Sequence, residues 1–145
     1  MASQPRLPAA VNRSFHGLTI LVVEDHADSR ELLIAILEGH GAQVLAAETA
    51  SAAFELVAAH QPDVVVSDIG LPDADGLSLL RRIRRLGEAE GGSTPAIAVT
   101  AYATMDDRRA ALAAGFDDYV TKPIDVSRLL DAIHQLARGP TSAVR

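Results

Sequence analysis

The chain has 145 residues, a formal net charge of −6 and no cysteine. A chain of this length supports one domain, burying about two-thirds of the surface its unfolded form exposes. Disulfides, thiolate metal sites and cysteine catalysis are excluded, and the acidic balance argues against direct nucleic-acid binding, which goes with a basic surplus. Aromatics are 3% of the residues against 48% apolar overall, so the core must be built from Ala, Val, Ile and Leu. No apolar run approaches the roughly 18 residues of a membrane span, and the N-terminus lacks a signal-peptide apolar core. With no disulfides to form, a cytoplasmic protein without membrane contact is expected.

Residues 1–16 are rich in Pro, Ala and Ser without periodicity and are expected to be a flexible leader. Leu18 to Val23 reads as a buried strand ending in Glu24-Asp25. Asp28 can start a helix in which Leu32, Leu33, Ile36 and Leu37 share one face, with Gly39 and Gly41 stopping it. Ala42 to Ala47 is a short second strand. Thr49 or Ser51 opens a second helix with Ala53, Phe54 and Val57 inward, ending before Pro62. Val64-Val65-Val66-Ser67-Asp68 then reads as a strand buried on both faces, as in a parallel sheet. Gly70 and Pro72 resist its continuation, so Asp68 is expected at its carboxyl edge, facing a loop.

Asp75-Gly76 leads into a third helix with Leu79, Leu80, Ile83 and Leu86 inward. That leaves Arg81, Arg82, Arg84 and Arg85 as a solvated outer face rather than a nucleic-acid patch. A polar loop over 87–94 precedes the fourth strand, Ala96 to Thr100. Thr104 is suited to cap a fourth helix with Asp106 and Asp107 in its first turn, where the helix dipole favours acids; Gly115 ends it. Asp118 to Thr121 is the fifth strand, followed by Lys122-Pro123. A fifth helix from about Asp125 turns Val126, Leu129, Leu130, Ile133 and Leu136 inward, and residues 139–145 read as a flexible tail. Asp73, Asp117 and Asp118 read as loop and turn residues and Asp75 as a helix cap. The domain is therefore expected over residues 17–138.

Strands alternating with helices require a single doubly wound, five-stranded parallel sheet, an α/β (βα)5 domain, and the flavodoxin-like order 2-1-3-4-5 is the one expected for it. Its switch point lies between the first and third strands, where Glu24, Asp25 and Asp68 meet, and the ends of the fourth and fifth strands add Thr100 and Lys122 to the same edge. Three carboxylates in one pocket repel one another unless a cation joins them. Mg²⁺ suits them, because it needs few carboxylates and keeps waters and phosphate oxygens; the His26 nitrogen suits it less. A carboxylate beside such an ion can attack a phosphoryl group, with a lysine ammonium neutralising the transferred charge and a threonine hydroxyl donating to it.

Four segments carry a resemblance to a known family: Ile20-Leu21-Val22-Val23-Glu24-Asp25; Val64 to Asp68 with Ile69-Gly70-Leu71-Pro72-Asp73-Ala74-Asp75-Gly76; Ala98-Val99-Thr100-Ala101-Tyr102; and Gly115 to Lys122-Pro123. Over about residues 17–137 the chain resembles the receiver domain of two-component response regulators. The resemblance implies that Asp68 is the phosphoacceptor and that Asp25, Asp68 and the Gly70 backbone carbonyl bind Mg²⁺, with Glu24 acting through metal-bound water. It implies that Lys122 contacts Asp68 and then the phosphoryl group, that Thr100 and Tyr119 form the switch, and that the bond before Pro123 is often cis. The partners implied are a histidine kinase or histidine phosphotransfer protein, and a fused or separate output domain; the chain would be a stand-alone receiver or a piece of a larger protein such as a hybrid kinase. Such a domain assists its own phosphorylation and dephosphorylation but is not a turnover enzyme. Glu24 stands where Asp is commoner, and Gly70 and Tyr102 occupy positions that tune phosphoryl lifetime, here toward slow loss. The rival readings are a receiver-like docking module that is never phosphorylated and an aspartate-nucleophile phosphohydrolase. The latter is disfavoured because Gly70 stands where its second acid belongs.

Overall fold

A computed structural model describes residues 14–144 except 102 and 103, with side chains described to residue 137. Five strands and five helices alternate: β1 (Thr19–Val23), α1 (Ala27–Gly39), β2 (Gln43–Ala47), α2 (Ala50–His60), β3 (Val64–Asp68), α3 (Gly76–Arg84), β4 (Ala96–Thr100), α4 (Met105–Ala114), β5 (Asp118–Thr121) and α5 (Val126–Val144). The sheet is parallel, as the alternation of elements requires, and its order is β2-β1-β3-β4-β5, as expected. Its register brings Val23 beside Ser67, Asp68 beside Val99, and Thr100 beside Thr121.

Successive strand residues point to opposite faces, and this divides the core in two. Leu21, Val23, Val65, Ala96 and Ala98 pack against α2, α3 and α4 through Ala53, Val57, Leu79, Leu80, Ile83 and Ala111. Ile20, Val22, Val64, Val66, Ile97, Val99 and Val120 pack against α1 and α5 through Leu33, Leu37, Leu129 and Ile133. Each fully buried Val or Ile contributes about 1.5–3 kcal/mol relative to exposure, so the β-branched run of β3 anchors both layers. The helix starts are capped locally. The Thr49 side chain accepts from the Ala52 N–H, Asp75 from Ser78, and Thr104 from Asp107, whose carboxylate closes a capping box.

Several expectations are corrected. Phe15, assigned to the leader, is fully buried; its ring meets His40 with centroids 5.8 Å apart, and its N–H donates to the His40 carbonyl at 2.7 Å. One aromatic ring supplies apolar area that the Pro- and Ala-rich composition around it concealed. The backbone of residues 139–144 continues α5 rather than forming a tail, with Gly139 and Pro140 inside the helix against their intrinsic preference. Leu32 and Val126, expected inward, are 61% and 39% exposed, because they lie off the buried stripes centred on Leu33 and Leu37 and on Leu129 and Ile133. Arg84 does not belong to a solvated face. Its guanidinium donates to the carbonyls of Gly92, Thr94 and Gly115 and pairs with Asp117 at 3.1 Å. Burial pulls it below the ordinary arginine pKa, and Asp117 opposes that. Arg82 lies 4.2 Å over the Phe54 ring, a cation–π contact that covers a half-buried aromatic.

Candidate functional site

β1 and β3 end side by side, and their last residues lead directly into the acids. Glu24 follows β1, its N–H donating to Ala47 O at 3.0 Å, and Asp25 enters the turn before α1. Asp68 closes β3. Glu24, Asp25 and Asp68 each offer a carboxylate oxygen, all within 4.8 Å of one another. Glu24 is buried, Asp68 half-buried and Asp25 exposed, so the cluster opens to solvent on the Asp25 side.

Lys122 enters from the end of β5. Its Nζ lies 2.9 Å from Glu24 Oε1 and 3.2 Å from Asp68 Oδ2. Burial works against its charge, but the two carboxylates outweigh it and raise the lysine above its ordinary pKa. Its N–H donates to Thr100 O at 2.8 Å, and the Lys122–Pro123 bond is cis. Three carboxylates therefore face one ammonium, which leaves an oxygen-rich pocket with negative charge to spare. That donor set suits a hard divalent ion.

The backbone around Asp68 is held tightly. The Gly70 N–H donates to Asp68 Oδ1 at 3.2 Å, the buried Ser67 hydroxyl to Asp68 O at 2.8 Å, and the Gly76 N–H to Ile69 O at 2.6 Å. A Cβ on Gly76 would lie 2.6 Å from Asp68 O, closer than real side chains come, so glycine lets α3 start against the strand end. Gly70 is exposed, and a Cβ there meets nothing within 4 Å. Thr100 is buried at the end of β4. Tyr119 is 5% exposed, and its hydroxyl is buried without a hydrogen-bond partner among the described residues; burial, with Asp107 adding to it, raises its pKa. It lines a cleft of about 540 Å³ with Thr104, Met105, Arg108 and Arg128.

The structure thus brings Glu24, Asp25, Asp68, Gly70, Thr100 and Lys122 to one edge and buries Tyr119 beside it. Tyr102 lies outside the described residues. His26 is not among the clustered acids: its Nδ1 caps α1, accepting from the Ser29 N–H at 3.4 Å. Asp73 does more than fill a loop. Its carboxylate accepts from Ala50 and Ser51 N–H at 2.8 and 3.0 Å, tying the loop after Asp68 to the start of α2, and those bonds hold it below the usual carboxylate range. Sequence reasoning assigned Arg30 nothing. Its guanidinium donates to Glu24 O and Asp25 O at 3.0 and 3.3 Å and lies 3.7 Å from Glu48. An arginine one turn into the helix that follows the acids was the available signal.

A doubly wound parallel sheet with acids at its switch point and a lysine from the last strand places a charged ligand site where such sheets bind their ligands. The chain matches the response regulator receiver domain model over residues 20–134 and belongs to that family. It is 45% identical over 118 residues to an uncharacterized 14.6 kDa protein of Leptolyngbya boryana, covering 81% of this chain and 88% of that one. It is 40% identical over 121 residues to the virulence transcriptional regulatory protein PhoP of Salmonella typhimurium, covering 83% of this chain but only 52% of PhoP, so it spans about half the length of that relative. Among solved structures it resembles a putative response regulator from Chloroflexus aurantiacus (28% identity, TM-score 0.78, 83% of this chain and 97% of that one). It also resembles the receiver domain of the sensor histidine kinase PA1611 from Pseudomonas aeruginosa (31% identity, TM-score 0.77, 83% and 98%), whose structure has a magnesium ion coordinated in the active site cleft. The chain is a receiver domain of two-component signalling, a switching module rather than a turnover enzyme.

Proposed function

We propose that Asp68 accepts a phosphoryl group from a phosphohistidine on a histidine kinase or histidine phosphotransfer protein in the cytoplasm, and that the aspartyl phosphate regulates a fused or separate output domain. The observation that carries this is the Asp68 carboxylate at the open end of β3, with Lys122 3.2 Å away and two further acids beside it. One Asp68 oxygen forms the new O–P bond as the donor's P–N bond breaks, and the imidazole leaves with the electron pair. Lys122 neutralises charge on the transferred group, and the Thr100 hydroxyl turns toward it. Asp25, Asp68 and the Gly70 backbone carbonyl would hold Mg²⁺, with Glu24 behind them. When bound, the ion withdraws charge from the phosphoryl oxygens. Tyr119 follows Thr100 and reshapes the cleft between α4 and α5, which biases two conformations of that face.

An apolar groove of about 300 Å³ runs from Lys122 and Pro123 along Leu32, Leu33, Ile36 and Val126. Its continuity with the acidic pocket supports docking of the apolar face of a donor helix there. Together the acids, Thr100 and Lys122 favour this reading over a docking module that is never phosphorylated.

The test is intact-protein mass after incubation with acetyl phosphate, with and without Mg²⁺, on wild type and Asp68→Asn. A single phosphoryl adduct that requires both Mg²⁺ and Asp68 is expected. A folded wild type that binds no Mg²⁺ and gains no adduct would replace this reading with the docking module.

A further inference from the structure

The loop that follows Asp68 is held at two places. Its base closes on Ile69 O, which accepts from the Leu71 and Gly76 N–H groups at 3.1 and 2.6 Å. Its tip is held by Asp73, whose two carboxylate oxygens accept separately from Ala50 N–H at 2.8 Å and Ser51 N–H at 3.0 Å. Among the described residues, no other hydrogen bond joins residues 70–74 to a helix. The anchor point is itself fixed. Ala50 is 1% exposed, the Thr49 side chain caps Ala52, and the end of β2 accepts from the Glu24 N–H through Ala47 O. First-turn N–H groups have no partner within their helix, and the positive end of the helix favours an anion. A carboxylate also offers two acceptor oxygens where an amide offers one.

Between this anchor and Asp68 the chain passes from stiff to free. Pro72 fixes its own φ and restricts Leu71 before it. Gly70 is exposed, and a Cβ there meets nothing within 4 Å, so no side chain steadies it. The stiff Leu71-Pro72 link carries the constraint at Asp73 back to Gly70, whose N–H meets Asp68 Oδ1 at 3.2 Å.

We propose that Asp73 is a positioning residue for the reaction at Asp68: its carboxylate pins the loop to the start of α2 and so fixes the Gly70 backbone beside the phosphoacceptor. The assignment rests on the phosphoacceptor reading above. It gives α2, which contributes no side chain to the acidic edge, a part in that edge's geometry.

The experiment uses the full chain as wild type, Asp73→Asn and Asp73→Ala, each checked for folding by circular dichroism. Adduct formation with acetyl phosphate at saturating Mg²⁺ is timed by intact-protein mass. The Mg²⁺ dissociation constant is measured by calorimetry, and amide exchange at Ala50 and Ser51 is followed without Mg²⁺. Both substitutions remove the same charge, but asparagine keeps one acceptor oxygen and alanine keeps none. Asp73→Ala is expected to slow adduct formation at least about tenfold and Asp73→Asn about threefold, with Mg²⁺ binding weakened in the same order. Exchange at Ala50 and Ser51 is expected to quicken in that order too. Equal losses in the two variants trace the effect to charge alone and overturn the proposal. Faster amide exchange with an unchanged adduct rate overturns it as well. If Asp73→Ala does not fold, the slowing in Asp73→Asn decides. A wild type that gains no adduct refutes the phosphoacceptor reading, and this proposal with it.

Discussion

Arg84 sits among oxygens at one edge of the sheet and Lys122 at the other, and the two sites use their cation differently. At the amino edge Arg84 meets three carbonyls and one carboxylate, Asp117, which also accepts from the Ala96 N–H at 2.9 Å. The planar guanidinium fork fills several acceptors at once, and the acceptors are mostly neutral, so donors and charge nearly match. At the carboxyl edge Lys122 meets carboxylates only, and they outnumber it. A matched cluster holds the strand ends and the α3 and α4 termini together. A mismatched one leaves negative charge that a further cation can balance.

The comparison is broken most directly at the amino edge. Arg84→Ala should cost about 2–4 kcal/mol in urea unfolding, because three carbonyls are left unpaired. Arg84→Lys should recover little of it, since an ammonium cannot fork; phosphorylation of Asp68 should persist in both variants while they are folded. Gly76→Ala tests the other edge. It should cost about 1–3 kcal/mol through the clash with Asp68 O, and should also weaken Mg²⁺ binding, because the strand end must shift. Asp25→Asn should leave thermal stability nearly unchanged yet weaken Mg²⁺ by at least about tenfold in calorimetry. Leu32→Glu should slow phosphoryl transfer from a phosphohistidine protein by about tenfold while sparing the reaction with acetyl phosphate, because only the former docks in the groove.

The smallest effect is a pH dependence at Asp118, the first residue of β5, outside both clusters. Burial would raise the Asp118 carboxyl, but Arg128 and the Tyr119 N–H outweigh it and hold it below its ordinary 3.8. A carboxyl lowered in the folded state adds stability above its unfolded pKa and loses it as pH falls through the folded value. Asp118→Asn should therefore flatten the decline of the urea midpoint below about pH 4.

What was legible in the sequence was what local rules control. The strand run at Val64–Val66, the caps Thr49, Asp75 and Thr104, and the stop at Gly115 all sit within one turn of the group they serve. Asp68 was legible because Gly70 and Pro72 end its strand, and Asp25 and Lys122 because a parallel sheet brings its strand ends together. The missed contacts join distant residues. Arg84 meets Gly115, thirty-one positions away, and Lys122 meets Glu24 across ninety-eight. No periodicity encodes such pairs. Arg84 shares α3 with arginines that are exposed, and only the fold distinguishes it from them. Phe15 offered a faint signal, being one of only three phenylalanines and set in a segment otherwise poor in bulky apolar residues.

The burial of Phe15 also decides how the domain can be held. Phe15 pairs with His40 just before β1 begins, at the amino edge, and the acids lie beyond the other end of that five-residue strand. The separation is about 17 Å at the usual rise per strand residue. The described chain thus enters the domain by the edge remote from Asp68, and a tether fixed at that point of entry would hold the domain by the edge opposite its acids.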